Sequence, residues 1–208
     1  QLVDEFYPVT TGKREDAIAV IDRAAASFFG LRAFGQHLNG FVKISGDIHI
    51  WIAKRAKDRL IFPGALDNMV AGGLPYGISL RDNLLKECWE EAGMSDDVAK
   101  AASPVGLVAY NKLGKYGFRP DILYCYDIEL DSNFIPKNLD GEVEEFKLMP
   151  VKDVMEIVKN TDKFKTNCNL VIIDFFIRHG IIGPDHEEYL SLSTGLRKKI
   201  GSAPYAQT

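Results

Sequence analysis

The chain has 208 residues, 46% of them hydrophobic and 26% charged, with a net charge of −4. That length and composition suit one globular domain with a sizeable core and room for an appendage. The mild acidity excludes a nucleic-acid-coating surface, and no apolar run reaches the roughly 20 residues of a membrane helix. Cys88, Cys125 and Cys168 are far apart and odd in number, with no Cys-x-x-Cys and no Cys/His cluster at zinc spacing. They read as reduced thiols. With no visible signal peptide, the expected compartment is the cytoplasm.

Residues 1–33 read as an N-terminal helical appendage: residues 16–26 are alanine-rich with apolar spacings of three and four, and Phe28-Phe29-Gly30 ends them. The main domain is expected over 34–200 and a loose tail over 201–208. Phe41 to Ile44, Ser45-Gly46-Asp47 and Ile48 to Ala53 read as a hairpin. In its second strand Ile48, Ile50 and Ile52 alternate with His49, Trp51 and Ala53. Trp51 reads as a core or interface residue rather than a stacking platform. His37 and His49 lack partners at ligand spacing and read as structural. Pro63-Gly64 marks a turn before the short apolar run that enters the glycine loop.

That loop, Gly72-Gly73-Leu74-Pro75-Tyr76-Gly77, leads into the most informative stretch. Ser79 is an N-cap with Asp82 three residues on, and Gly93 suits the left-handed residue that ends a helix. On a wheel at about 100° per residue, Leu84, Leu85, Cys88, Trp89 and Ala92 share one side. Lys86, Glu87, Glu90 and Glu91 share the other, with Glu91 at the edge of the apolar side and so partly buried. Glu87 and Glu91 are one turn apart, and like charges so placed repel. Carboxylates crowded on one strip are either a solvated acidic face or the oxygen ligands that a hard divalent cation such as Mg²⁺ prefers. Cys88, on the apolar side, reads as core filler.

Strands follow at 105–110 and 121–130. Asn111 to Gly117, with two glycines and two lysines, reads as a mobile loop at a site mouth. Arg119, extended before Pro120, either grips a diphosphate oxygen or pairs with Asp121. Residues 143–146 alternate as a strand; helices are expected at 151–159, 168–179 and 187–200. Strands alternating with helices, hairpins among them, give an α/β class with a mixed sheet between helices.

Gly72 followed by Lys86-Glu87-Cys88-x-Glu90-Glu91-x-Gly93-Met94 resembles the Nudix box. That pattern is Gly, five residues, Glu, seven residues, then Arg-Glu-apolar-x-Glu-Glu-x-Gly-apolar. Ile78 stands where the family has Glu, and Lys86 where it has Arg. Phe62 to Pro75, Phe34 to Gly40, Arg119-Pro120-Asp121 and Asp140 to Phe146 are similar to a branch that includes the hydrolase half of fungal thiamine diphosphokinase fusions. The resemblance implies a Nudix α/β/α sandwich and a hydrolase acting on phosphorus anhydrides. It implies Mg²⁺, or Mn²⁺, on Glu87, Glu90 and Glu91, which would also be the catalytic residues. Gly72, Gly73, Arg119 and either Glu142 or Glu145 are the implied substrate contacts, the last two also as candidate bases. The implied partner is a small diphosphate: thiamine diphosphate or its oxo and oxy forms, cut to the monophosphate. A hydrolase of nucleoside diphosphate derivatives and a catalytically silent binding module on the same scaffold are the alternatives.

Overall fold

The computed structural model describes residues 5–114 and 117–198. A two-stranded antiparallel ribbon, β1 (Phe6–Val9) and β2 (Ala19–Asp22), opens the chain. A short helix α1 (Arg23–Ala26) and a 3-10 turn (Ser27–Phe29) lead into β3 (Ala33–Ile44). Of the helix expected over residues 16–26, only Arg23–Ala26 is helical, and Ala19–Asp22 is strand. Pairing of Ala19–Asp22 with Phe6–Val9 overrides the alanine propensity, and Asp22 starts the helix late by accepting the Ala24 N–H at 2.8 Å.

The central sheet has seven strands. β3 is its spine. Its C-terminal half pairs with β4 (Asp47–Arg55), and its N-terminal half with β6 (Val70–Gly73). The expected β3–β4 hairpin is present, turning through Ser45 and Gly46 at φ 53° and 91°, the left-handed pair that a two-residue hairpin requires. β5 (Leu66–Asp67) and β9 (Val143–Pro150) both pair with β4. On the other side of β3 lies β8 (Gly117–Glu129), parallel to it, and then β7 (Ser103–Gly114), antiparallel to β8. The sheet is thus mixed.

α2 (Leu80–Ala92) and the short α3 (Asp96–Ala99) cover one face, and α4 (Val151–Asn160) and α5 (Thr166–Arg178) the other. The period-two alternation of strands sorts the core between them. Leu38, Val42 and Trp51 pack with Leu84, Cys88 and Ala92 on the α2 side. Phe41, Ile50 and Ile52 pack with Val154, Ile172, Phe175 and Phe176 on the α5 side. Fully burying one such side chain contributes roughly 1.5–3 kcal/mol. Trp51 is a core residue, as the alternation implies.

Two further expectations change. Asn111 to Gly114 belongs to β7 rather than to a mobile loop, with Asn111, Lys112 and Leu113 in register with Pro120, Arg119 and Phe118; residues 115 and 116 lie outside the described residues. The last helix, α6, spans only Tyr189–Gly195. Beyond it the backbone bonds to β7, from Ala109 N–H to Leu196 O and from Lys198 N–H to Ala109 O, which draws the chain out of helical geometry. The tail expected at 201–208 lies outside the described residues. Among the described helices none is long and apolar enough to cross a membrane.

Candidate active site

Local sequence fixes both ends of α2. Ser79 accepts the Asp82 N–H at 3.0 Å and donates its hydroxyl to the Asp82 carboxylate at 2.7 Å. Gly93 ends the helix at φ 61°, with Met94 N–H bonded back to Cys88 O. Orphan carbonyls of the last turn are taken up by the following loop, as Lys137 and Leu139 donate to Ala92 and Glu90.

The buried face of α2 carries Asn83, Leu84, Glu87, Cys88, Glu91 and Ala92, while Trp89 is 55% exposed. The wheel placed Trp89 inside and Glu87 outside; both are corrected. The face is rotated because the Ala71–Gly72 stretch of β6 offers Glu91 a backbone N–H and Glu87 the space of a missing side chain, while Val70 keeps the apolar contact with Leu84, Cys88 and Ala92. Glu91, 6% exposed, accepts the Ala71 N–H at 2.8 Å. Glu87 lies on Gly72, where an added Cβ would come within 2.5 Å of Glu87 Oε2. Glycine at 72 thus makes room for a carboxylate.

Lys86 joins two of the three acids, at 3.2 Å from Glu87 and 3.1 Å from Glu90. Burial raises the Glu87 pKa, opposed by Lys86 and reinforced by Glu90. Burial pushes Glu91 up to about 8, eased by the Ala71 hydrogen bond and reinforced by the charges of Asp67 and Glu87. Two buried carboxylates that lean on one another, one of them without an ion-pair partner among the described residues, form a donor set that suits a hard divalent cation.

Around this strip, Asp140 is raised by burial and by the charges of Glu142 and Glu90. Glu142 pairs with Arg59 at 3.1 Å and Arg55 at 3.9 Å, and Arg55 also reaches Asp67. Glu142 N–H donates to Asp140 Oδ1 at 2.8 Å, and Arg55 joins Glu142 to Asp67 of β5. Glu145 pairs with Lys147 at 3.3 Å and lies in register with Lys54 on β4. Arg119, half exposed, pairs with Asp121 at 3.3 Å. Gly73 faces the N-terminal ribbon: an added Cβ there would meet the Tyr7 hydroxyl at 2.6 Å.

Sequence reasoning missed a buried polar cluster on the α5 side. Cys168 donates to Asp67 at 2.6 Å, Lys165 pairs with Asp67 at 3.2 Å, and His37 Nδ1 meets Asn68 at 2.7 Å. Burial and Lys165 lower His37 to about 4, so it is neutral. Asp67 titrates low because Lys165, His37, Cys168 and Arg55 outweigh its burial. His37, Asp67 and Cys168 have donor atoms within 4.8 Å of one another, but Lys165 already supplies the positive charge there. The spacings 37, 67 and 168 carry no local signal that could have found this cluster.

The family model described as "NUDIX domain" matches residues 40–168. The chain is 48% identical over 196 residues to "Nudix hydrolase 20, chloroplastic" and over 194 residues to "Nudix hydrolase 24, chloroplastic", both of Arabidopsis thaliana. These alignments cover 94% and 93% of the chain and 52% and 53% of those proteins, so the chain spans about half their length. Among solved structures, it is similar in fold to DR0079 from Deinococcus radiodurans, with TM-score 0.52 and 18% identity over 80% of this chain and 95% of that one. A C. elegans Ap4A hydrolase binary complex gives TM-score 0.51 and 12% identity over 73% and 98%.

Proposed function

The chain belongs to the NUDIX domain family, and from that premise we propose that it is a divalent-metal-dependent hydrolase that cuts a diphosphate linkage. The observation carrying this reading is the burial of Glu87 and Glu91 against the backbone of Ala71 and Gly72. A solvated acidic face would not spend buried area on carboxylates. Glu87, Glu90 and Glu91 would hold Mg²⁺, or Mn²⁺, which when bound neutralises phosphate oxygens and lowers the pKa of water. The chain's own part is positional. The Ala71 N–H fixes one Glu91 oxygen, and Lys86 spans Glu87 and Glu90 in place of the family's arginine. A carboxylate, from α2 or Glu142, takes the proton of the attacking water. The P–O–P bridge breaks, leaving a monophosphate and the departing phosphate.

The hydrolase domain in this reading runs over 34–200, with the preceding segment laid on its glycine loop. For the substrate, the lead-in from Phe62 to Pro75 supports thiamine diphosphate or its oxo and oxy forms, cut to the monophosphate. The three cysteines, all buried and unpaired, support a reducing compartment such as the cytoplasm.

The test is Mg²⁺-dependent cleavage of thiamine diphosphate, its oxidised forms and nucleotide sugars, read by chromatography of the monophosphate products. Turnover of the thiamine series with at least about tenfold preference over the sugars is expected. Preference for the sugars would move the substrate to nucleoside diphosphate derivatives. Binding without turnover of anything would replace the enzyme with a silent module.

A further inference from the structure

We propose that Asn83 is a positioning residue for the acidic strip: hooked to Gln36, it sets the rotation of α2 that sends Glu87 into the space beside Gly72. This rests on the reading of Glu87 as a metal-holding acid. The helix's own sequence does not demand that rotation. Its apolar side includes Trp89, yet Trp89 is left 55% exposed while Glu87 is buried. Turning α2 to bury the indole would gain apolar contact and carry Glu87 into solvent. Apolar burial alone therefore does not select the observed rotation.

Gln36 of β3 and Gly72 of β6 stand opposite each other in register, and both face α2. One carries a long polar side chain and the other carries none. Asn83 meets the first and Glu87 the second. Asn83 Nδ2 donates to Gln36 Oε1 at 2.7 Å and to Gly73 O at 3.0 Å. Gln36 Nε2 donates back to Leu80 O at 2.8 Å and to the Tyr126 hydroxyl at 3.3 Å. Both N–H groups of each amide are thus used. Residues 83 and 87 are one helical turn apart, a rise of about 6 Å, close to the roughly 5 Å between neighbouring strands. The hook on β3 and the gap on β6 therefore engage successive turns of one helix face.

The hook is kept at a cost. Asn83 is fully buried, and its Oδ1 has no hydrogen-bond partner among the described residues. A buried amide oxygen left without a donor is destabilising, and an apolar side chain would avoid it. A polar pair retained against that cost specifies orientation rather than adding stability.

The experiment titrates the full chain with Mn²⁺ alone and reads the Kd by calorimetry, so turnover is not needed. It compares the wild type, Asn83→Ala and Val171→Ala, the last a buried core position on α5. Asn83→Ala is expected to raise the Kd by about tenfold to a hundredfold, the usual effect of removing the support behind a metal ligand. Val171→Ala loses stability away from α2, and its Kd should stay within about twofold of wild type. An unchanged Kd in Asn83→Ala, or an equal rise in both variants, overturns the assignment. If Asn83→Ala does not fold, Gln36→Met, of similar size, removes the same hydrogen bond and is judged by the same values. If the wild type takes up no Mn²⁺, the metal reading has failed, and Asn83 is judged by a double-mutant cycle with Gly72→Ala in urea. The loss of midpoint caused by Gly72→Ala should shrink by at least about half in the Asn83→Ala background, where Glu87 no longer fills the gap. Equal losses in the two backgrounds refute the hook.

Discussion

Glu91 Oε2 accepts the amide of Ala71 across 2.8 Å, and that bond ties the third glutamate of the helix to the strand that delivers the glycine loop. The two residues are twenty apart in sequence, yet the contact fixes how far α2 slides along β6. Glu87 is set by the same docking, because its carboxylate occupies the space that a Gly72 side chain would take. Two members of the acidic strip, Glu87 and Glu91, are therefore held by the sheet, and Lys86 joins Glu90 to Glu87.

Glu91→Gln is expected to abolish most turnover without loosening the fold. The glutamine oxygen still accepts the Ala71 N–H, while the anionic ligand is lost. Several kcal/mol of charge stabilisation corresponds to a fall in kcat of about 10² to 10⁴. Phosphate release with Mg²⁺ measures it, and a circular dichroism melt within a few degrees of wild type shows that the fold survives. Near wild-type turnover would remove Glu91 from the site.

Gly72→Ala places a methyl group within 2.5 Å of Glu87 Oε2. The carboxylate or the strand must move, at a cost of about 1–3 kcal/mol of overpacking. Activity should fall with stability, and Mg²⁺ binding, followed by calorimetry, should weaken. By contrast Gly77→Ala meets no neighbour within 4 Å, so strain at its φ of 88° is the cost there and Mg²⁺ affinity should hold.

The parts of the site that the sequence discloses are those set by residues within one turn or one loop. Ser79, Gly93 and the Glu87–Glu91 spacing are local, and each stands where pattern reasoning places it. The β3–β4 hairpin is legible for the same reason, through Ser45-Gly46 and the alternation of isoleucines. Trp89 and Glu87 exchange sides because what lies against α2 is a glycine-bearing strand, and a wheel carries no knowledge of the neighbour. The ribbon hidden in residues 16–26 depends on pairing with Phe6–Val9, a contact that no helical spacing reveals. The cluster of His37, Asp67, Lys165 and Cys168 needs β3, β5 and the start of α5 to meet, and only the folded sheet brings them together.

The N-terminal ribbon has a mechanical task that can be tested at Arg14. This side chain, 6% exposed, donates to Pro75 O and Ile78 O, each at 2.7 Å, on either side of the turn before Ser79. It braces the segment where Ile78 replaces the family's glutamate. Arg14→Lys should lower stability by about 1–3 kcal/mol, because one ammonium cannot span two carbonyls as the guanidinium fork does. Urea unfolding at constant m-value reads the loss, and a midpoint equal to wild type would show that the brace is idle.

His37 makes a prediction in pH. Its pKa falls from 6.5 to about 4 through burial and the nearby Lys165, against the pull of Asp67 and Asn68. Between those values the unfolded chain binds a proton that the folded chain refuses, so this residue costs stability as pH falls from 6.5 towards 4. The full effect is on the order of 3 kcal/mol. Glu91 and Glu87, raised in the metal-free protein, act in the opposite sense over part of the same range, since there the folded state holds the extra proton. Total stability therefore mixes the two, and the informative quantity is the difference between wild type and His37→Gln. Glutamine keeps an amide for Asn68 and cannot titrate. Unfolding free energies from pH 8 to 4.5 should show a constant difference above about pH 7. Below it the wild type should lose ground steadily to the variant. A flat difference over the whole range would mean that His37 charges freely in the folded protein, and that the cluster around Asp67 opens to water.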